Sequence, residues 1–103
     1  MRRLPVLILI GLIAMPAKAQ APVPARLQIV SDLAYAMGQS HALRQNCRGE
    51  GDQYWRGRMQ HILDIEAPDE AGRVALADAF NNGFRDARGR HAACNPDSRA
   101  AER

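Results

Sequence analysis

The sequence predicts an all-α fold, a small three-helix up-down-up bundle closed by one disulfide. Three observations carry that prediction. Apolar residues recur at three- and four-residue steps in three successive segments, the spacing of one helix face. Stretches containing proline or glycine separate the segments, and no strand-like alternation competes with them. The two cysteines, Cys47 and Cys94, fall at the ends of the first and third segments, which an up-down-up arrangement places at the same end.

The chain opens with a targeting pattern. Met1-Arg2-Arg3 is a short cationic start, and Leu4 to Ala14 is an uncharged apolar run. Pro16 then precedes Ala17-Lys18-Ala19, a small-x-small pattern that signal peptidase reads. Residues 1–19 are expected to be a signal peptide cut after Ala19, with a cut after Ala21 as the alternative. The apolar run is too short for the roughly twenty residues that span hydrocarbon, and no cysteine follows it to carry a lipid. No membrane span is expected after cleavage.

Cleavage also changes the charge argument. The net charge of +3 includes Arg2, Arg3 and Lys18, so 11 bases, all arginine, remain against 11 acids. A formally neutral chain gives no reason to expect nucleic acid. Residues 20–103 make one small domain with a modest core, and such domains often rely on staples. Two cysteines in an exported chain are expected to pair. Bonding Cys47 to Cys94 closes a loop of about 48 residues, worth on the order of 4 kcal/mol by chain entropy.

The elements follow in order. Residues 20–25 contain two prolines and read as a flexible leader, ahead of a helical domain over 26–95. From Arg26 to about Asn46 the stripe is Leu27, Val30, Leu33, Ala34, Met37 and Leu43, and Arg48-Gly49-Glu50-Gly51 stops it. Asp52 is expected to cap a second helix running to about Glu66 and to pair with Arg56 four residues on. Its stripe is Trp55, Met59, Ile62 and Leu63, and Ala67-Pro68 ends it. Pro68-Asp69-Glu70 opens a third helix to about Ala93, with proline and carboxylates where the first turn favours them. Val74, Ala77, Phe80, Phe84, Ala87, His91 and Cys94 make its stripe. Asn95-Pro96 stops it, leaving 96–103 as a frayed tail.

Side chains that could carry chemistry are few. His41, His61 and His91 fall one per helix, with Met37 and Met59 as soft neighbours, but no metal-ligand spacing joins them, and neither metal nor cofactor is expected. Glu50 and Asp52 flank the turn before Tyr54-Trp55, a carboxylate pair beside aromatics such as glycan hydrolysis uses. A cap and a core tryptophan explain Asp52 and Trp55 as well. Ser31, Ser40 and Ser98 lie in no nucleophile motif. Asn81-Asn82-Gly83 sits mid-helix between Phe80 and Phe84, where none of the three favours helix. Helix packing, with Gly83 admitting a neighbouring side chain, is the favoured reading, and a close helix approach there with an amide reaching a buried polar partner or a ligand is the other. Arg85, Arg88 and Arg90 crowd the last turns, where cations suit the helix dipole, and Asp86 can pair with Arg90.

Taken together, Leu43-Arg44 with Cys47, Gly51-Asp52 with Trp55-Arg56 and Met59, Leu63 with Glu66 and Pro68, Phe80-Asn81-Asn82-Gly83-Phe84-Arg85 and Cys94 form an ordered pattern over about 50 residues. In this pattern the chain resembles a family of small secreted alphaproteobacterial proteins, a domain of unknown function. His91 stands where that family suggests a tyrosine. The resemblance implies a Gram-negative periplasm and a bonded Cys47 and Cys94, and it implies no activity.

The expected function is a non-enzymatic periplasmic domain that binds a protein or an envelope component. Its expected contact surface joins the turn from Glu50 through Asp52 to Trp55 with the segment Asn81, Asn82 and Arg85. The rival is a cell-wall enzyme or enzyme accessory working through Glu50 and Asp52, which requires at least one carboxyl with a raised pKa.

Overall fold

The computed structural model describes residues 11, 23–67 and 69–102, so the expected signal peptide, Gly11 aside, lies outside the described residues. Four helices follow in order: α1 (Val23–Arg48), α2 (Tyr54–Glu66), α3 (Glu70–Arg90) and α4 (Pro96–Glu102). There is no strand among the described residues. Cys47 and Cys94 are bonded, with Cα atoms 4.9 Å apart. The class is all-α as predicted, but the described residues form four helices and not three.

Helix α1 begins at Val23, inside the segment read as a flexible leader. Pro24 permits this because first-turn N–H groups have no intrahelical acceptor to lose. The helix stops where Gly49 turns to φ 95°, a left-handed conformation that costs glycine little. Gly49 N–H donates back to the Gln45 carbonyl at 2.8 Å, and the Gln45 amide pins the turn by donating to the Glu50 carbonyl at 2.9 Å.

Asp52 does not cap α2 as expected. Gln53 holds that position, without a side-chain bond, while Asp52 accepts from the Tyr54 N–H at 3.2 Å. Its two carboxylate oxygens lie 2.8 and 2.9 Å from Nε of Arg44 on α1. The expected Asp52–Arg56 pair is therefore replaced by a tertiary one.

Asp69 caps α3, accepting from the Gly72 N–H at 2.8 Å. The helix ends at Arg90, short of the expected Ala93, with His91 N–H returning to the Ala87 carbonyl at 2.8 Å. Cys94 thus lies in the α3–α4 connection, whereas Cys47 lies in the last turn of α1. The expected frayed tail is a helix through Glu102. Asn95 and Ser98 cap it reciprocally, each side chain accepting from the other's backbone N–H at 2.9 Å. Asn95-Pro96, read as a stop, is also a start, since proline fits the first helical position. Helix α4 packs on α1 and buries Ser98 completely.

Helices α1 and α3 form the frame. A Cβ on Gly38 would fall 2.8 Å from the Phe80 carbonyl carbon and 3.0 Å from the Phe84 nitrogen, with the Phe80 oxygen closer still. At Gly83 it would fall 2.8 Å from the Tyr35 carbonyl carbon. Backbone thus meets backbone at both crossings, which only glycine allows. This contact rotates both helices relative to the expected stripes. Leu33 and Val74 are 49% exposed, while Leu76 is fully buried. The main core joins Ala34, Met37, Met59, Leu76 and Phe80, with Trp55 and Leu63 packed on it. Burying a side chain such as Leu76 or Phe80 contributes about 1.5–3 kcal/mol.

Candidate functional site

Helix α2 leans on α1 and touches α3 only lightly. The gap left between α2 and α3 is a cleft of about 190 Å³. Met59, Leu63, Ala77 and Phe80 make its apolar floor and walls, and Arg56, Gln60 and Asn81 stand at its polar edge. Two ion pairs span the helices along this line. Glu50, in the turn before α2, lies 3.6 Å from Arg88 of α3. Asp64 of α2 lies 3.7 Å from Arg73 of α3. Antiparallel α2 and α3 put the start of one beside the end of the other, which is why early α2 residues meet late α3 residues.

Of the residues expected to form a contact surface, Asn81 lines this cleft, whereas Glu50, Asp52, Trp55, Asn82 and Arg85 do not. Asn81 borders the cleft, and Asn82 and Arg85 are exposed next to it. Arg85 Nη2 donates to the Asn82 side-chain oxygen. Trp55 is half-buried, packed against the core and edge-on to Tyr54 at 5.1 Å. Tyr54 is itself 48% exposed and lies under the guanidinium of Arg44 at 4.7 Å. Gly83 belongs to packing, as favoured, with a neighbouring backbone and not a side chain filling its space.

Asp52 is an ion-pair carboxylate. Burial pushes its carboxyl up, but the Tyr54 N–H, the hydrogen bond and charge of Arg44 and the charge of Arg48 outweigh that and hold it below its ordinary value. On the far side of the frame, Asp86 accepts from the Tyr35 hydroxyl, which in turn accepts from Arg90 at 3.4 Å. The expected direct Asp86–Arg90 pair is thus mediated by Tyr35. The hydrogen bond to Asp86, followed by burial, raises the Tyr35 pKa.

His41 lies beneath this region. It is 1% exposed, its ring centroid 5.5 Å from Phe80 and 5.4 Å from Phe84, and its Nδ1 has no hydrogen-bond partner. Burial and the nearby charge of Arg56 push its pKa down, against an opposing pull from Asp52. His61 is exposed and His91 half-buried, so the three imidazoles occupy different environments. No cluster of three or more His, Cys, Asp or Glu suited to a metal ion occurs among the described residues.

A larger hollow of about 440 Å³ opens at the other end of the bundle, beside Leu27, Val30 and Ile65. Its charges already satisfy one another, with Arg26 bound to Glu66 at 3.0 and 3.1 Å. At the edge of the smaller α2–α3 cleft, Arg56 has no carboxylate partner among the described residues. Arg56 was not singled out in the sequence for that surface, because Asp52 was expected to neutralise it.

A family described as a protein of unknown function (DUF2385) matches residues 27–103, and the chain belongs to it. No curated protein matches the chain, and no solved structure does. Arg56, Met59, Leu63, Phe80 and Asn81, five of the residues through which the sequence resembles its relatives, all line the α2–α3 cleft.

Proposed function

We propose that this family member is a non-enzymatic binding domain of the periplasm, released by cleavage after Ala19, that holds a protein or envelope component against the α2–α3 cleft. The observation that supports the reading is the cleft between α2 and α3, with an apolar floor of Met59, Leu63, Ala77 and Phe80 and a polar edge of Arg56, Gln60 and Asn81. The α1–α3 frame and the disulfide hold that surface in one shape, which lowers the ordering cost of binding. A bonded Cys47–Cys94 pair supports an oxidising compartment.

A cell-wall enzyme acting through Glu50 and Asp52 has less support. Asp52 titrates low and is held by Arg44, and the Glu50 carboxylate is 84% exposed beside Arg88. The lowered Asp52 carboxyl does not match the raised one that a general acid requires.

A photo-cross-linking residue placed at Asn81 in the exported chain tests the binding reading, with exposed Asp32 on α1 as the control position. The expected result is a discrete adduct from position 81, absent from position 32 and weakened by Asn82→Ala. No adduct, or the same adducts from both positions, removes the reading.

A further inference from the structure

We infer that the α2–α3 cleft recognises a peptide segment bearing an aliphatic side chain with a carboxylate beside it, the side chain entering the cleft and the carboxylate meeting Arg56. The inference rests on the binding reading above and assigns the chemistry of its ligand.

Volume decides the first half. Whole small molecules occupy pockets of roughly 300–1,000 Å³, whereas this cleft measures about 190 Å³. It has room for one side chain of a longer ligand. Met59, Leu63, Ala77 and Phe80 offer that side chain an apolar bed, and Met59, unbranched and polarizable, adapts to its shape. The amides of Gln60 and Asn81 stand at the edge, where they can meet a peptide backbone.

Charge decides the second half. Along the seam between α2 and α3, cations and anions alternate as closed pairs at both ends, Glu50 with Arg88 and Asp64 with Arg73. Arg56 stands between them with no carboxylate partner among the described residues. Its nearest sequence partner, Asp52, gives both oxygens to Arg44. Arg56 is therefore left without an anion at the lip of an apolar cleft. Guanidinium groups bind carboxylates with paired hydrogen bonds, so an acidic ligand supplies the complement.

His41 reports on this event without touching it. The groups acting on it are Arg56 from α2 and Asp52 from the preceding turn, while α3 presents the aromatic rings of Phe80 and Phe84. An anion bound to Arg56 offsets the cationic field, so the imidazole must titrate higher in the complex. By reciprocity the same ligand binds more tightly as pH falls through that range.

The test titrates the oxidised, exported protein with three peptides while following amide and imidazole resonances. Acetyl-Ala-Leu with a free terminus offers a chain-end carboxylate, end-blocked acetyl-Ala-Leu-Glu-Ala-amide a side-chain carboxylate, and acetyl-Ala-Leu-amide none. Shifts at Arg56, Met59 and Asn81, and an upward move of the His41 titration, are expected with one or both acidic peptides. Which of the two acts distinguishes a chain end from an acidic side chain. Binding is expected to weaken roughly ten- to hundredfold in Arg56→Gln, the loss typical of a hydrogen bond to a charged group, and to recover in part in Arg56→Lys. Equal binding of the neutral peptide, unchanged binding in Arg56→Gln, or no binding by any of the three overturns the inference. If the position-81 adduct survives Arg56→Gln, the surface stands and the carboxylate assignment alone falls.

Discussion

Replacing Gly83 with alanine adds one methyl group at one of the two close backbone approaches between α1 and α3. Helix propensity favours that change by about 1 kcal/mol. The structure predicts the opposite sign. The new Cβ would lie 2.8 Å from the Tyr35 carbonyl carbon and 3.1 Å from its Cα, where ordinary contacts begin near 3.4 Å. The obstacle is backbone, with the Tyr35 carbonyl oxygen nearest of all, so no rotamer change relieves it, and α1 must shift by roughly an ångström or more. Overpacking of this kind costs about 1–3 kcal/mol, and moving α1 also disturbs the buried rings of His41 and Phe80. A net loss of about 2 kcal/mol is expected, a fall in Tm of roughly 8–16 °C for a domain this small. Gly57 and Gly89 provide the internal controls, because a Cβ at either meets nothing within 4 Å. Gly57→Ala is expected to stabilise by up to about 1 kcal/mol. Urea denaturation of the oxidised proteins, compared at equal m-values, measures both. If Gly83→Ala gains stability as Gly57→Ala does, the close-approach argument is wrong.

Two further predictions concern the same frame. Replacing Cys47 and Cys94 together by alanine should cost about 4 kcal/mol, from the loop of about 48 residues they close, with amides of α4 exchanging faster than those of α3. A loss below about 1 kcal/mol, or uniform exchange, would contradict the staple. Acid should weaken the fold through His41. Its folded pKa is depressed below the ordinary 6.5 by burial and Arg56, so the unfolded chain binds the proton first. The stability His41 contributes is intact above pH 6.5 and is lost as pH falls from there towards the folded value. That slope should approach 1.4 kcal/mol per pH unit at most and should flatten in His41→Leu. Denaturant midpoints at pH 7.5 and 5.0 settle it, and an equal pH dependence in the variant assigns the effect elsewhere.

Local rules made much of this protein legible. Gly49 and Asp69 announce a helix end and a helix start through groups a few residues apart, so α1 stops and α3 starts near their expected places. Two cysteines in one small domain left a single intramolecular pairing. Of the cleft residues, Asn81 was marked in the sequence by a local conflict with helix propensity, whereas Arg56 became notable only when its expected partner turned elsewhere. The Asn95-Pro96 signal was ambiguous, because proline both ends one helix and begins another.

The chain alone determined the all-α class, the approximate spans of α1, α2 and α3 and the disulfide, because caps, breakers and apolar periodicity act over a few residues. Tertiary structure decided which face of each helix was inside. Periodicity locates a stripe to within about one residue, and the approach of α1 to α3 at Gly38 and Gly83 then selected Leu76 over Val74 and drew His41 into the core. It also decided that Asp52 would serve Arg44 and not Arg56. Ion pairing is a competition among neighbours in space, and only the packed helices set who those neighbours are.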